Sequence, residues 1–175
     1  ATANTAEYVP MKPAEILPKV NTIKEADIEK AIDLIEKAKK PYIFVGGGVT
    51  ISGASGELAE FVEKVDAPVA DTLMGKGAYP GDSPRYTGMV GMHGTKSSNL
   101  GITKCDLLIT IGARFSDRVT GNTKKFARDA KILQIDVDAA EVNKNIHTDA
   151  SVIGDANAVL KILNERLTGQ HHEKW

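Results

Sequence analysis

The sequence predicts an α/β fold in which helices cover both faces of a doubly wound, mainly parallel sheet of six strands. Three observations lead to this prediction. Short apolar runs alternate with segments of helical period, glycine or polar residues directly follow the apolar runs, and 175 residues suffice for one domain but hardly for two. Alternation of this kind implies right-handed βαβ crossovers and hence a Rossmann-like sheet.

The N-terminal part predicts a linker followed by a helix. Residues 1–21 contain three prolines and no sustained periodicity, so we expect an extended linker there. Thr22 and Glu25 have the spacing of a capping box, in which the threonine hydroxyl accepts the glutamate N–H, and they predict a helix start. The helix should end before Pro41. Its expected apolar face repeats with a helical period and consists of Ile28, Ala31, Ile32, Ile35 and Ala38.

Strands and helices then alternate along the chain. Strands are expected at residues 42–45, 68–71, 106–111, 131–137 and 151–154, and helices at residues 58–65, 95–104 and 159–167. Residues 72–94 are rich in glycine and contain two prolines, so they predict a long irregular connection, which in a compact domain is usually functional or disordered. The domain should therefore cover residues 22–168, and residues 169–175 should begin a C-terminal linker.

The composition excludes several classes of partner. The formal net charge is −1, so the chain has no basic surface of the kind that binds nucleic acid and no polybasic patch for a membrane. Cys105 is the only cysteine, which excludes an internal disulfide and favours a reducing compartment, by default the cytoplasm. No apolar run approaches the roughly 20 residues that span a bilayer, and the histidines lack the spacing of a metal site.

Polar or glycine clusters follow four of the predicted strands, at residues 46–48, 71–77, 112–118 and 136–138. In an open α/β sheet, ligands bind at the carboxyl ends of the strands, so these clusters predict one ligand site. The three glycines at 46–48 fit either a pyrophosphate cradle or a plain tight turn. Asp136 could accept from a ribose hydroxyl, while Asp138 could cap a helix, and Arg114 could clamp phosphates.

His93 lies between two glycines, ahead of a predicted helix start at Thr95. Glycines on both sides allow the backbone to press against a ligand. The chain contains no nucleophile elbow, no P-loop lysine and no obvious pair of carboxylates. Pattern alone therefore predicts a nucleotide-like ligand and does not predict a reaction.

Five stretches together resemble one known family: KKPYIFVGGGV, PVADTLMGKGAYP, GMVGMHGT, CDLLITIGARFSDRVTG and ILQIDVDAAEVNKN. They are similar to the central domain of the acetolactate synthase (acetohydroxyacid synthase) catalytic large subunit, a thiamine-diphosphate-dependent enzyme. The resemblance runs from about residue 39 to residue 167 and is specific because the GMHGT and GARFSDRVTG motifs occur together and in order. Ser116 and Ala139 depart from the usual pattern, where an aspartate and a proline are common.

The resemblance implies a cytoplasmic transferase that condenses pyruvate with a second 2-oxo acid, pyruvate or 2-oxobutanoate, in branched-chain amino-acid biosynthesis. Flanking domains would carry thiamine diphosphate, Mg²⁺ and the catalytic residues, so this chain alone is not expected to turn over substrate. The middle domain would bind FAD. The implied partners are the flanking domains and a second catalytic subunit in a homo-oligomer, with a regulatory small subunit as a further candidate.

The resemblance also assigns site residues. Those expected to bind FAD are Gly46, Gly47, Gly48, Thr72, Leu73, His93, Gly94, Gly112, Ala113, Arg114, Asp117, Asp136, Val137, Asp155 and Ala156. Met92 and Arg118 are expected to contact the second 2-oxo acid, with the alternative that Met92 fills the core and Arg118 pairs with Asp117 or solvent. The competing functional hypothesis is a stand-alone NAD- or FAD-binding oxidoreductase or electron-transfer domain of similar fold.

Overall fold

A computed structural model of the chain describes residues 22–173 and Trp175, so the linker predicted at residues 1–21 lies outside the described residues. The helices are α1 (Glu25–Lys37), α2 (Gly47–Ile51), α3 (Ser55–Val65), α4 (Lys96–Lys104), α5 (Asp117–Thr120) and α6 (Ala156–Arg166). The strands are β1 (Pro41–Val45), β2 (Val69–Asp71), β3 (Tyr86–Met89), β4 (Leu107–Ile111), β5 (Lys131–Asp136) and β6 (Ala150–Ile153). One-turn 3-10 helices occur at Leu73–Gly75 and Ala139–Glu141.

The six strands form one sheet in the order β3-β2-β1-β4-β5-β6, and every neighbouring pair is parallel. The chain starts in the middle with β1, builds one half outwards to β3, then returns past β1 and builds the other half from β4. The predicted doubly wound, parallel α/β fold is therefore confirmed. The reversal of strand order lies between β1 and β4, which is where such sheets open a crevice at their carboxyl edge.

The prediction of one long irregular connection over residues 72–94 is wrong. Strand β3 lies inside it and pairs with β2, with a register irregularity between Val69 and Ala70. All four residues of β3 are only partly buried, because this strand forms an edge of the sheet. Gly88 within it has φ of +105°, where its missing Cβ makes room for Thr95. The strand lacks the apolar run that identified the others.

The capping box predicted at the start of α1 is also absent. Lys24 is the N-cap residue and its side chain makes no capping bond. The Thr22 hydroxyl instead donates to the carbonyl of Ile153, with 2.7 Å between the oxygens, and so ties the start of α1 to β6. The predicted apolar face is mainly right, since Ile28, Ala31 and Ile35 are buried, but Leu34 is buried where Ile32 was expected.

Two hydrophobic clusters lie on opposite faces of the sheet, as the alternation of side chains along β1 shows. Ile43 and Val45 point into the larger cluster, which contains the apolar faces of α1, α3 and α6. Tyr42 and Phe44 point into the smaller one, which contains Ile102 of α4. Helices thus pack on both faces, as predicted. Among the described residues, no helix has the length and apolar character needed to cross a membrane.

Candidate functional site

A cleft of about 780 Å³ runs along the carboxyl edge of the sheet and is lined by residues at or after the end of every strand. Of the residues predicted to bind a cofactor, Gly46, Gly47, Gly48, Thr72, Leu73, His93, Gly112, Ala113, Arg114, Asp136, Val137, Asp155 and Ala156 line this cleft, together with Met92 and Arg118. Gly94 and Asp117 do not line it. A volume of this size is typical of sites for small molecules and cofactors.

The glycines after β1 serve first to let backbones pack. A Cβ on Gly46 would overlap the carbonyl oxygen of Gly112, and one on Gly48 would lie 2.7 Å from the Gly112 Cα. The N–H of Gly46 donates to Ile111 O at 2.9 Å, and that of Gly48 donates to Gly112 O at 3.1 Å. These two amides are therefore not free to bind a pyrophosphate. Of the two interpretations of the triple glycine, tight backbone packing explains Gly46 and Gly48.

The segment after β4 offers backbone donors that Gly46 and Gly48 do not. The backbone N–H groups of Ala113 and Arg114 donate to no other residue in the part of the chain that the structure describes. The Arg114 side chain is exposed, and its Nε lies 3.8 Å from the carboxylate of Glu141. An anion bound in the cleft can accept charge-assisted hydrogen bonds from this guanidinium and from the two amides.

Three aspartates at the ends of β5 and β6 have different roles. Asp136 is buried, and its Oδ1 accepts the N–H of Asp138 at 2.9 Å. Burial raises the pKa of Asp136, and the nearby negative charges of Glu141 and Asp138 raise it further. Asp138 caps the 3-10 helix by accepting the N–H of Ala140, which is the capping alternative that the sequence left open beside a ligand role for Asp136. Asp155 caps α6 by accepting two backbone N–H groups.

The wall formed by residues 91–94 is bonded directly to α5. The N–H of Met92 donates to the carbonyl of Arg118 at 3.0 Å. The Arg118 guanidinium makes no ion pair or hydrogen bond with another described residue, because Asp117 accepts the backbone N–H of Arg118 rather than its side chain. Met92 is exposed rather than part of the core. Met92 therefore does not fill the core and Arg118 does not pair with Asp117, whereas the alternative that Arg118 faces solvent agrees with its exposure.

Gly94 and Asp117 make backbone hydrogen bonds next to the cleft wall but do not line the cleft. Gly94 donates its N–H to Gly91 O at 2.9 Å, and a Cβ on Gly94 would overlap the carbonyl of Met89. Asp117 is the first residue of α5, and its Oδ1 lies 2.9 Å from the N–H of Arg118. Both residues hold backbone in place beside the cleft and contribute no surface to it.

Large apolar side chains stand exposed around the cleft. Ile51 is 88% exposed, Leu73 71%, Met74 76%, Met92 66% and Val137 75%, and all five line the cleft. Exposed apolar groups gathered on one surface mark a site that another molecule covers. Sequence reasoning did not single out Ile51, Met74, Ser52, Met89, Val90, Ser116, Val119, Ile135, Asp138 or Gly154 as lining residues. No sequence signal separates such exposed apolar residues from core residues.

The cleft has few groups suited to catalysis. The part of the chain that the structure describes contains no group of three or more His, Cys, Asp or Glu side chains able to hold a metal ion. His93 lines the cleft but has no hydrogen bond or ion pair with another described side chain. The arrangement is therefore suited to binding and orienting a molecule with an anionic part and a flat apolar part.

Residues 28–163 match the family model of the thiamine pyrophosphate enzyme central domain. The chain is 55% identical over 136 residues to a probable acetolactate synthase large subunit of Methanocaldococcus jannaschii, which covers 78% of this chain and 23% of that protein. It is 44% identical over 146 residues to the acetolactate synthase isozyme 2 large subunit of Escherichia coli, covering 83% and 27%. Against acetolactate synthase of Arthrospira platensis it is 39% identical over 167 residues, covering 91% and 29%. The chain thus spans about a quarter of the length of these relatives.

Proposed function

Because the chain belongs to the thiamine pyrophosphate enzyme family as its central domain, we propose that it is the central domain of an acetolactate synthase large subunit. The names of the relatives support this proposal, and so do the motifs GMHGT and GARFSDRVTG, which occur together and in order. The alternative of a stand-alone oxidoreductase or electron-transfer domain is not favoured by these matches. Residues 22–168 would form the domain, between linkers at residues 1–21 and 169–175.

The cleft at the carboxyl edge is the proposed site for FAD. One observation carries this part of the proposal: all but two of the residues predicted to bind FAD line a single cleft whose rim is apolar and exposed. A dinucleotide with a ring system at each end needs both polar and apolar surface, and the cleft offers both.

The donors after β4 fit the pyrophosphate. The free N–H groups of Ala113 and Arg114 and the exposed Arg114 guanidinium lie in the same stretch, so they can bind phosphate oxygens together. Asp136 at the end of β5 is placed to accept from a ribose hydroxyl, and Asp155 and Ala156 would lie beside the adenine. The exposed side chains of Ile51 and Met74 would pack on the flat rings.

The activity of the whole enzyme is a further part of the proposal. Thiamine diphosphate and Mg²⁺ would be held by flanking domains, and the full-length protein would join a two-carbon unit from pyruvate to a second 2-oxo acid. Bound FAD would support the structure of the site, since this condensation involves no net oxidation. Arg118 would hold the carboxylate of the second acid, and Met92 would form an apolar wall for its alkyl group.

The remaining partners follow from the same assignment. We place the protein in the cytoplasm, in agreement with its single, buried cysteine. A second catalytic subunit would complete a homo-oligomer, and relatives named large subunits support a small regulatory subunit as a partner.

Titration of the purified chain with FAD, followed by flavin fluorescence, tests the cofactor proposal. We expect weak binding, because contacts from neighbouring domains are absent and the site is less preorganised. Arg114→Ala should weaken it by roughly tenfold or more, the loss of a charge-assisted hydrogen bond worth about 1.5–3 kcal/mol. Arg128→Ala is the matched control, because Arg128 is equally exposed, pairs with Asp129 and does not line the cleft. Equal affinity of the two variants would contradict the proposed site.

A further inference from the structure

Asn99 on α4 binds both backbone groups of a single glycine. Its Oδ1 accepts the N–H of Gly91 at 3.0 Å, and its Nδ2 donates to the carbonyl of Gly91 at 3.1 Å. An asparagine side chain carries one acceptor and one donor end, so it can bind a residue's N–H and C=O as a neighbouring strand would. Asn99 itself does not line the cleft.

Gly91 lies where the cleft wall meets α5. Its φ of +103° favours glycine, and a Cβ at this position would overlap the carbonyl oxygen of Arg118. The next residue, Met92, donates its N–H to that same carbonyl. The backbone of residues 91–92 therefore rests on Arg118, which itself lines the cleft.

From this geometry we propose that Asn99 is a positioning residue for the cleft. By fixing both backbone groups of Gly91, it sets the wall that carries Met92 and His93 relative to Arg118, and so contributes to ligand binding without touching the ligand. The ligand part rests on the proposed FAD site. The positioning part does not rest on the FAD site, because the hydrogen bond from the Met92 N–H to the Arg118 carbonyl can be measured without any ligand.

Two substitutions separate the roles of the asparagine amide. Asn99→Ala removes both hydrogen bonds. Asn99→Asp keeps the shape and the acceptor but replaces the donor by a carboxylate oxygen that faces the Gly91 carbonyl. Asn157→Asp is the control, since Asn157 is a partly exposed helical asparagine whose amide donates to a glycine carbonyl, that of Gly53, and it does not line the cleft.

Amide hydrogen exchange of the 175-residue chain provides the direct readout. We expect the protection of the Met92 N–H to fall about tenfold in both Asn99 variants, as for the loss of one or two hydrogen bonds, and to stay unchanged in Asn157→Asp. The N–H groups of Val90 and Gly112, which donate to Asp71 and Ile135, should keep their protection. Unchanged protection at Met92, or a loss shared by all three amides, would overturn the proposal.

FAD titration of the same variants tests the ligand part. If the unmodified chain binds FAD, both Asn99 variants should bind several-fold more weakly and Asn157→Asp should not. Binding that is equal in all variants would contradict the contribution of Asn99 to ligand binding. If the unmodified chain does not bind FAD, the cofactor proposal fails, and the exchange at Met92 still decides whether Asn99 positions the wall.

Discussion

The two edges of the sheet are built from the same six strands but differ in how many of their polar groups are paired and in how much apolar side chain is exposed. At the amino edge, groups pair with one another. Asp106 accepts the N–H groups of Lys39 and Lys40, both at 2.8 Å, and Trp175 packs edge-on against Tyr42 while its indole N–H donates to Pro41. Asp66, before β2, pairs with Arg85 at 2.6 Å and accepts the backbone N–H of His172. Burial acts to raise the pKa of Asp66, but these two partners lower it below its usual value.

At the carboxyl edge, several groups stay open, although Asp71 pairs with Lys76 and Tyr86 there. Apolar side chains such as Ile51 and Met74 face solvent, the Arg118 guanidinium has no partner among the described residues, and burial raises the pKa of Asp136. Exposed apolar side chains gathered on one surface mark a place where another molecule binds, and among the described residues only the carboxyl edge gathers them in a cleft. The difference favours the carboxyl edge as the functional one without reference to any motif.

The largest effect should come from filling the backbone contact beneath the cleft. Gly46→Ala places a methyl group against the carbonyl of Gly112, so the strand end and the segment after β4 must separate, at a cost of about 3 kcal/mol in the free energy of unfolding. Urea denaturation measures this loss. Gly56→Ala is the control, because Gly56 lies in α3 with nothing within 4 Å of the added methyl group, and alanine should stabilise that helix by up to about 1 kcal/mol. Equal effects of the two substitutions would show that the glycine contact does not hold the edge together.

A smaller effect is expected from removing the Arg118 guanidinium in the proposed full-length acetolactate synthase. Arg118→Ala should raise the Michaelis constant for the acceptor acid, with a loss of about 1.5–3 kcal/mol for one charged hydrogen bond. Formation of the first two-carbon adduct on thiamine should be largely spared, and rapid-quench measurement of that adduct separates the steps. Slower adduct formation with unchanged acceptor preference would contradict the assignment of Arg118.

The smallest effect concerns the buried carboxyl of Asp136. Because its pKa is raised in the folded state, the ionised group weakens folding, and stability should fall as the pH rises from the unfolded value towards the folded one. Asp136→Asn should therefore be slightly more stable than the original chain at pH 7, and this advantage should shrink as the pH approaches the ordinary value of 3.8. Thermal unfolding between pH 4 and pH 7.5 measures the difference. A variant that is less stable at pH 7 would show that the carboxylate supports the fold rather than a ligand.

The sequence was sufficient to predict most of the fold because the buried strands are short apolar runs between helices of clear period. Strand β3 escaped prediction since it lies at the sheet edge, is partly exposed and contains Gly88. The capping box at Thr22 failed because a tertiary partner, the carbonyl of Ile153, competes for the hydroxyl, and no local pattern reveals such a partner.

The sequence predicted the position of the candidate site better than the chemical groups that it offers. Parallel strands bring their carboxyl ends together, so clusters after β1, β4 and β5 had to meet. The sequence did not show which backbone N–H groups stay free. Whether the N–H groups of Gly46 and Gly48 find an acceptor depends on how closely the segment after β4 approaches them. The exposure of Ile51 and Met74 could not be predicted either, because an apolar residue at the rim of a cleft and one in the core look alike in sequence.

The most direct test of the account is to map the amides of the chain by NMR while FAD is added. Shifts should concentrate at the carboxyl edge, at the N–H groups of Gly47, Ala113, Arg114 and Val137, and should be absent at the amino edge, at Lys39, Lys40 and Asp106. Shifts centred on the amino edge, or no shifts at millimolar FAD, would contradict the claim that the open carboxyl edge is the flavin site.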